Sequence, residues 1–506
     1  MKRILYITML LVMAIIPTAC TDSNNYVYND VDSPAMLSFG FYKADNPGVL
    51  GADYVVDLAG AQSKGTSTQN ISVAMPPTVD KTSLVARFTT SDGTTVRIGD
   101  NEQVSQTTVN DFTFPIDYIL TKGNISRRYE VTVVKSALKW METGAIADVT
   151  VFGDPVLKLN PVTQKPYIGF KIRAGKTSDA ANHSVVYTLA DNNEWQTVGG
   201  DYVGHLVNSS YFDFDIAPDG TPYVAYSDQQ ATVLKNAMSV MEYNGTSWEF
   251  VGTDAGLLNA VSNYVSFAAL DGELVGAQLN NSSKAGFPNR TLVVSNYKNG
   301  AWNSMVPPML TNNVYMVNAA GCRDAAYVIS INRGAVNGVN YGYNVLRYTG
   351  GEWTAMITNY LEPGNTTNNI AMIGITVSHD GTPYIWTMDD ASGQLGVRIK
   401  YYDKEADAWA TLGGNILPLG FEPDRHTEVA LDVAPNGTPY VVYTNDADLG
   451  YPYLMYLDPE TNQWSAPSKL ASENSSGLNI KFTNDGIGYV TFVDGSNHLH
   501  TLRTYE

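Results

Sequence analysis

Residues 211–217 read YFDFDIA, 218–220 PDG and 221–228 TPYVAYSD; after a loop come SVMEYNG at 239–245 and SWEFVG at 247–252. Four short runs rich in Val, Ile, Tyr and Phe are separated by turn residues, which predicts four antiparallel strands, A to D. The unit is copied along the chain. Trp140, Trp195, Trp248, Trp302, Trp353, Trp409 and Trp464 follow one another at intervals of 55, 53, 54, 51, 56 and 55 residues, and only Trp386 falls outside the series. A fixed period of this length marks a repeat architecture.

Smaller marks recur in step. The A–B turn is Asp219-Gly220, Asp271-Gly272, Asp380-Gly381, Asn436-Gly437 or Asp485-Gly486. Such dipeptides supply the positive φ angles of two-residue hairpins. Strand B opens with Tyr223, Tyr384 or Tyr440 after Thr-Pro, with Tyr167, Tyr327 and Tyr489 in the same place elsewhere and Leu274-Val275 in the remaining copy. Asn244-Gly245, Asn299-Gly300 and Gly350-Gly351 form the tightest C–D turns, and a Tyr precedes the Trp by five residues in each of these copies. The last copy starts near Leu478 and reaches Tyr505 without its own Trp, whereas Leu138-Lys139-Trp140-Met141-Glu142 stands ahead of the first complete copy with the right spacing. The expectation is a ring whose last unit takes its outer strand from near Trp140, since closure removes exposed sheet edges.

The repeats resemble seven-bladed β-propellers, loosely of the kelch/galactose-oxidase type, over about residues 137–506. The kelch Gly-Gly after strand B is absent. The fold class implied is all-β: a small β-sandwich over 34–136, then a propeller of four-stranded blades over 137–506. The sandwich is read from alternating runs at Met36–Tyr42, Tyr54–Leu58, Ile71–Met75, Leu84–Phe88, Phe112–Leu120 and Arg128–Val134. Glu102 to Ser105, Val109 to Phe112 and Tyr129 to Val133 resemble an immunoglobulin-like module found at the N-terminus of bacterial surface lipoproteins, a spacer with no constellation of chemical residues.

The chain starts with an address label. Lys2-Arg3, the apolar Ile4 to Ile16 and Pro17-Thr18-Ala19-Cys20 read as a secretory signal over 1–20. The Cys after Ala19 resembles a bacterial lipobox, which implies cleavage there, lipid on Cys20 and an outer-membrane location with the leaflet open. Pro17 stands where that motif usually has Leu. Residues 21–33 are polar and aperiodic, as a tether would be. Without Lys2 and Arg3 the formal charge goes from −19 to −21. An acidic chain with no basic stripe is a poor partner for nucleic acid. Cys322 has no cysteine partner once Cys20 is lipidated, so a disulfide scaffold is excluded.

Propeller geometry places the A–B and C–D turns on one face and the B–C loops and blade crossovers on the other. Five residues after the strand-B Tyr stand Asp228, Asn332, Asp389, Asn445 and Asp494, types that end strands by bonding nearby backbone. The approaches to strand A carry richer chemistry: His205, Tyr211, Tyr264, Tyr315, Arg425, His426 and Glu428. Aromatic faces beside amides and charges suit a sugar, whose apolar face stacks while its hydroxyls bond. Sialidase-like boxes and a radical-oxidase metal set are missing, and His498 and His500 lack metal-ligand spacing. No cofactor is expected. The reading is a non-catalytic binding module for a glycan or protein ligand. The alternative is a polysaccharide lyase or glycoside hydrolase using His205, Tyr211, His426 and Glu428 as acid and base.

Overall fold

The computed structural model describes residues 33–505 apart from 57, 59–67, 137, 147–148, 175–180, 233, 253–259, 284–285, 311, 337, 366–372, 392–395, 417–427 and 460. The signal, Cys20 and nearly all of the tether lie outside the described residues. From Lys139 onward the strands pair into seven antiparallel sheets, so the second body is a β-propeller. Six of the sheets have four strands; the one over 429–464 adds Ser468–Lys469 as a fifth, and Ala335–Val336 pairs with Val339–Asn340 in a separate two-stranded ribbon. Its inner strands are Val156–Leu159, Val207–Ile216, Ser262–Ala269, Val314–Cys322, Ile373–Val377, Val429–Val433 and Ser475–Phe482. Each touches the next, and the last touches the first, which makes a closed ring around a channel.

Closure follows the repeat. Lys139–Glu142 pairs antiparallel with Leu499–Tyr505, setting Trp140 opposite Thr504 and Glu142 opposite Leu502. Thr143 N donates to Thr501 O at 2.9 Å, and His500 Nδ1 meets Glu142 Oε1 at 2.7 Å. Strands from the two ends of the repeat region therefore complete one blade.

The repeating residues have separable physical jobs. Second strands such as Leu274–Asn280 and Pro439–Asn445 are buried along their whole length, because a neighbouring blade covers each face. That is why they read as unbroken apolar runs rather than alternating ones. Each periodic Trp sits across from the end of strand C, opposite Tyr243, Tyr297, Tyr348 and Tyr402 in four blades. The rings of the first three pairs lie 5.1 to 5.3 Å apart. Trp248 Nε1 donates to Val198 O at 2.8 Å and Trp302 Nε1 to Val251 O at 2.9 Å, each reaching into the preceding blade. Trp195 reaches Thr143 Oγ1 at 3.3 Å in the same manner. In these three blades the periodic Trp makes an inter-blade bond, each worth about 1 kcal/mol, whereas the buried Trp409 and Trp464 Nε1 atoms have no hydrogen-bond partner among the described residues.

Asp271-Gly272 is a two-residue hairpin loop as expected, with Leu270 N donating to Glu273 O at 2.8 Å, but the other four Asp/Asn-Gly A–B turns differ. Gly220, Gly381, Gly437 and Gly486 have φ between 80° and 92°, but the Asp or Asn before each does not adopt positive φ. Gly220 N donates to Ala217 O and Ala217 N to Thr221 O, both at 2.8 Å, and the other three turns repeat both bonds. This is a type I turn closed by a left-handed glycine bulge. Asn299-Gly300 does have both φ values positive, 53° and 79°, as a type I′ C–D turn requires.

The first body is two facing sheets. One orders Tyr54–Val56, Met36–Phe41, Leu84–Thr90 and Val109–Asn110; the other orders Thr68–Met75, Ile125–Lys135, Ile116–Lys122, Thr95–Ile98 and Asn101–Glu102. Thr68–Met75 alternates exposed and buried residues along its whole length, one face in the core and one in water. Phe39, Phe41, Phe112 and Tyr118 pack edge to face at 4.7 to 5.5 Å. This sandwich rests on the turn face of the propeller. Asn436 Nδ2 donates to Pro77 O, Lys135 Nζ meets Asp458 Oδ1 at 3.2 Å and Lys43 Nζ meets Asp485 Oδ2 at 3.7 Å.

Closure makes a testable difference between two truncations. Removing residues through Ser136 takes away the sandwich but keeps the closing strand, whereas removing residues through Met141 also uncovers the edge of Leu499–Tyr505. The longer truncation should melt several degrees below the shorter one by calorimetry; equal midpoints would show that the ring does not depend on this strand.

Candidate functional site

Inner strands run from the crossover face to the turn face, so their first halves surround one mouth of the channel. There they enclose a cavity of about 400 Å³, with Phe212, Tyr264, Met316 and Trp386 on its walls and Asp154, Asn318 and Asn479 among its polar groups. That volume lies in the range of small-ligand pockets.

Trp386 is the residue that sequence reasoning passed over. It stands two residues after the strand-B Tyr384, where the five other blades with that Tyr carry Gly169, Ala225, Ile329, Val442 and Thr491. Gly374 is its cross-strand partner on the inner strand. A Cβ on Gly374 would lie 2.2 Å from the indole Cε2 and Nε1. The missing side chain is therefore what lets an indole from the second strand reach the channel wall. Its position outside the 51-to-56-residue series was the signal that this Trp has a different job.

A charged belt underlies the cavity. Lys158 Nζ meets Asp215 Oδ1 at 3.0 Å, and Lys481 Nζ meets Asp432 Oδ1 at 2.8 Å and Thr376 Oγ1 at 3.1 Å. Asp213 Oδ2 accepts from Ser266 Oγ and Phe267 N, both at 2.8 Å. Burial pushes its carboxyl up to about 6, against the pull of Lys158. Beyond the belt a second cavity of about 400 Å³ opens on the turn side, with Cys322, Arg323, His379 and Asn484 in its lining. Burial raises the Cys322 thiol above its ordinary value, which leaves it a poor nucleophile.

Glu428 is the expected site residue with the most perturbed chemistry. It leads directly into Val429 of the cavity wall, and its Oε2 accepts from Leu478 N at 3.1 Å. Burial, together with the negative Asp154, pushes its carboxyl up to about 7. Burial also raises Asp154, against the attraction of Lys171. Lys171 in turn is pushed down to about 8 by burial. The mouth thus holds a carboxyl that gains and loses its proton near neutral pH.

The other expected residues divide. Tyr264 lines the cavity. Tyr211 lies in Val207–Ile216 beside Phe212, and Arg425 and His426 fall outside the described residues. Tyr315 does not line the cavity: strand alternation points its neighbour Met316 inward and leaves Tyr315 41% exposed. His205 is also elsewhere. Its Nδ1 meets Asp228 Oδ2 at 2.9 Å and its ring lies 4.8 Å from Phe250, away from the cavity lining. Four members of the Asp/Asn series are structural: Asp228, Asn332 and Asn445 are at most 2% exposed, and the half-buried Asp494 accepts from Ser496 N and His498 N, both at 2.8 Å. Asp228 Oδ1 accepts from Gln230 N at 2.8 Å, and Asn445 Oδ1 from Ala447 N at 3.2 Å.

Comparison with known proteins adds one sequence match, in the sandwich. Residues 59–133 match the family model described as SGBP, N-terminal. No curated protein matches the chain. Three of the similar solved structures are an alpha-L-arabinanase of Penicillium chrysogenum complexed with arabinobiose, the beta-propeller domain of the Trilobed protease from Pyrococcus furiosus and an Aleuria aurantia lectin mutant in complex with Fucalpha1-6GlcNAc. The first is 12% identical, with 73% of this chain and 98% of that chain covered and a TM-score of 0.42. The second is 12% identical, with 71% and 96% covered and a TM-score of 0.43. The third is 13% identical, with 58% and 91% covered and a TM-score of 0.38. Likenesses this weak carry nothing about ligands.

The Glu428 environment has a pH signature. Its folded carboxyl is raised to about 7 from 4.5, so below about pH 4.5 both states hold the proton and the folded state gains nothing over an amide. As pH rises from there to about 7 the unfolded chain ionises first and stability is lost; above 7 the loss is constant. Glu428→Gln keeps an acceptor for Leu478 N and removes the titration. The variant should match the natural protein at pH 4 and exceed it by about 1–3 kcal/mol above pH 7, read from melting midpoints across that range.

Proposed function

We propose that this protein is a surface or periplasm-facing lipoprotein whose propeller binds a glycan, without cleaving it, in the crossover-face cavity. The observation that carries the reading is the cavity itself: Trp386, Tyr264 and Phe212 on its walls beside Asp154, Asn318 and Asn479. Aromatic faces take the apolar side of a pyranose ring, and carboxylate and amide groups take its hydroxyls. The match of residues 59–133 to SGBP, a name that stands for surface glycan-binding protein, supports the same class of ligand. A protein ligand would call for a broad, flat apolar surface rather than a channel mouth.

The orientation fits an external ligand. With the sandwich on the turn face, a lipid on Cys20 would hold that face toward the membrane and leave the cavity pointing outward. A second reading, a lyase or hydrolase, draws support from the raised carboxyls of Asp154 in the cavity lining and of Glu428 next to its wall residue Val429. It would use Glu428 as the acid, and shortened oligosaccharides in a prolonged digest would establish it.

Two experiments test the main reading. On a glycan array followed by calorimetry, Trp386→Phe and Tyr264→Ala should each weaken binding by about tenfold, one to two kcal/mol of lost stacking, with melting midpoints little changed. Unaltered affinity in both would remove the cavity from consideration. Separately, Cys20→Ser should move the protein from the membrane fraction to the soluble fraction, because the acyl chains supply the anchor. Retention on membranes after a high-salt wash would contradict the lipoprotein assignment.

A further inference from the structure

We infer that the crossover cavity selects neutral glycans and rejects those carrying uronate or sulfate groups. The inference rests on the glycan-binding reading and narrows its ligand class. Its basis is the way charges are matched around the cavity.

Each belt lysine already has a carboxylate. Lys158 is committed to Asp215 at 3.0 Å, and Lys481 to Asp432 at 2.8 Å. Lys171, the cation that acts on Asp154, is 3% exposed and so is withheld from a ligand. Around the cavity, Asp154, Asp213, Asp215, Asp432 and Glu428 therefore stand against Lys158, Lys171 and Lys481. That is five carboxyl groups to three amines. Among the described residues no arginine lines this space.

With Lys171 counted against Asp154, the excess of two lies with Asp213 and Glu428, and none of the three amines is left free; Asp154 and Glu428 are the two carboxyls at the mouth. Asp154 lines the cavity, and Glu428 is fixed beside it by the bond from Leu478 N at 3.1 Å. Both sit against Gly477-Leu478: a Cβ on Gly477 would lie 3.5 Å from the Asp154 Cα. Above about pH 7, where Glu428 is ionised, a sugar carboxylate or sulfate entering here would meet like charge between low-dielectric walls, where repulsion is far stronger than in water. Hydroxyl groups meet the opposite situation. They donate to the same oxygens and form charge-assisted bonds. One pair of side chains thus attracts a neutral sugar and repels an acidic one.

The test uses the full mature protein in buffer above about pH 7, where Glu428 is ionised. A glycan array identifies the tightest ligand, and calorimetry then compares a neutral glycan with its form oxidised to the carboxylate at the primary hydroxyl. The oxidised form should bind at least about tenfold more weakly in low salt. The gap should shrink as salt screens it. It should also fall to within about threefold in the Asp154→Asn/Glu428→Gln double variant, whose melting midpoint reports that it is folded. Equal binding of neutral and acidic forms, an acidic glycan as the tightest ligand, or an unchanged gap in the folded double variant would each overturn this inference while leaving glycan binding in place. Absence of binding to any glycan would overturn both.

Discussion

Seven sheets can surround a channel only if each inner strand is held to the next, and here side chains on one inner strand accept from backbone N–H groups on its neighbour. Asp213 and Asp215 take Phe267 N and Ala269 N at 2.8 and 2.9 Å. Ser266 takes Ala319 N at 2.8 Å, and Asp432 takes Phe482 N at 3.0 Å. Asn479 carries the series past the seam by accepting from Leu157 N at 3.3 Å. An inner strand has its sheet partner on one side only, so its other edge would otherwise face the channel with unpaired donors. These acceptors satisfy some of those donors and fix the angle between blades together.

That arrangement has an electrostatic consequence. Three of these acceptors are carboxylates, two in one blade and one in another, and buried negative charge is costly unless it is paired. Lys158 and Lys481 supply the pairing from other blades. The channel is consequently rigid at its waist and carries little free positive charge. The two mouth carboxyls, Asp154 and Glu428, lie outside this set of lysine pairs.

On the outer rim the same logic uses different residues. The periodic indoles reach back one blade, as Trp248 does to Val198 and Trp302 to Val251. At the seam the reach is from Trp195 to Thr143, next to the closing strand. Glu142 and His500 add a contact there that other blades do not need. Inner acceptors and outer indoles bracket each blade, and the apolar second strands fill the space between.

The sequence by itself determined the repeat, the strand order and the closure, because each depends on local residue type at a fixed spacing. Trp, Tyr and Asp/Asn-Gly recur since every blade must solve the same packing problem. Residue types could also place Tyr264 and Glu428 near the crossover mouth. They could not separate Tyr315 from Met316, which differ only in which way the strand faces, nor show that His205 is held by Asp228 two strands away. Four of the A–B turns misled for a related reason: Asp-Gly is compatible with two hairpin geometries, and the backbone bonds choose between them. Only tertiary structure decided the site. Trp386 becomes a wall of the cavity because Gly374 on the neighbouring strand lacks a side chain, and Lys158 and Lys481 become unavailable because Asp215 and Asp432 face them. Such relations join residues that the chain keeps 12 to 57 positions apart, and no local pattern encodes which pair will meet.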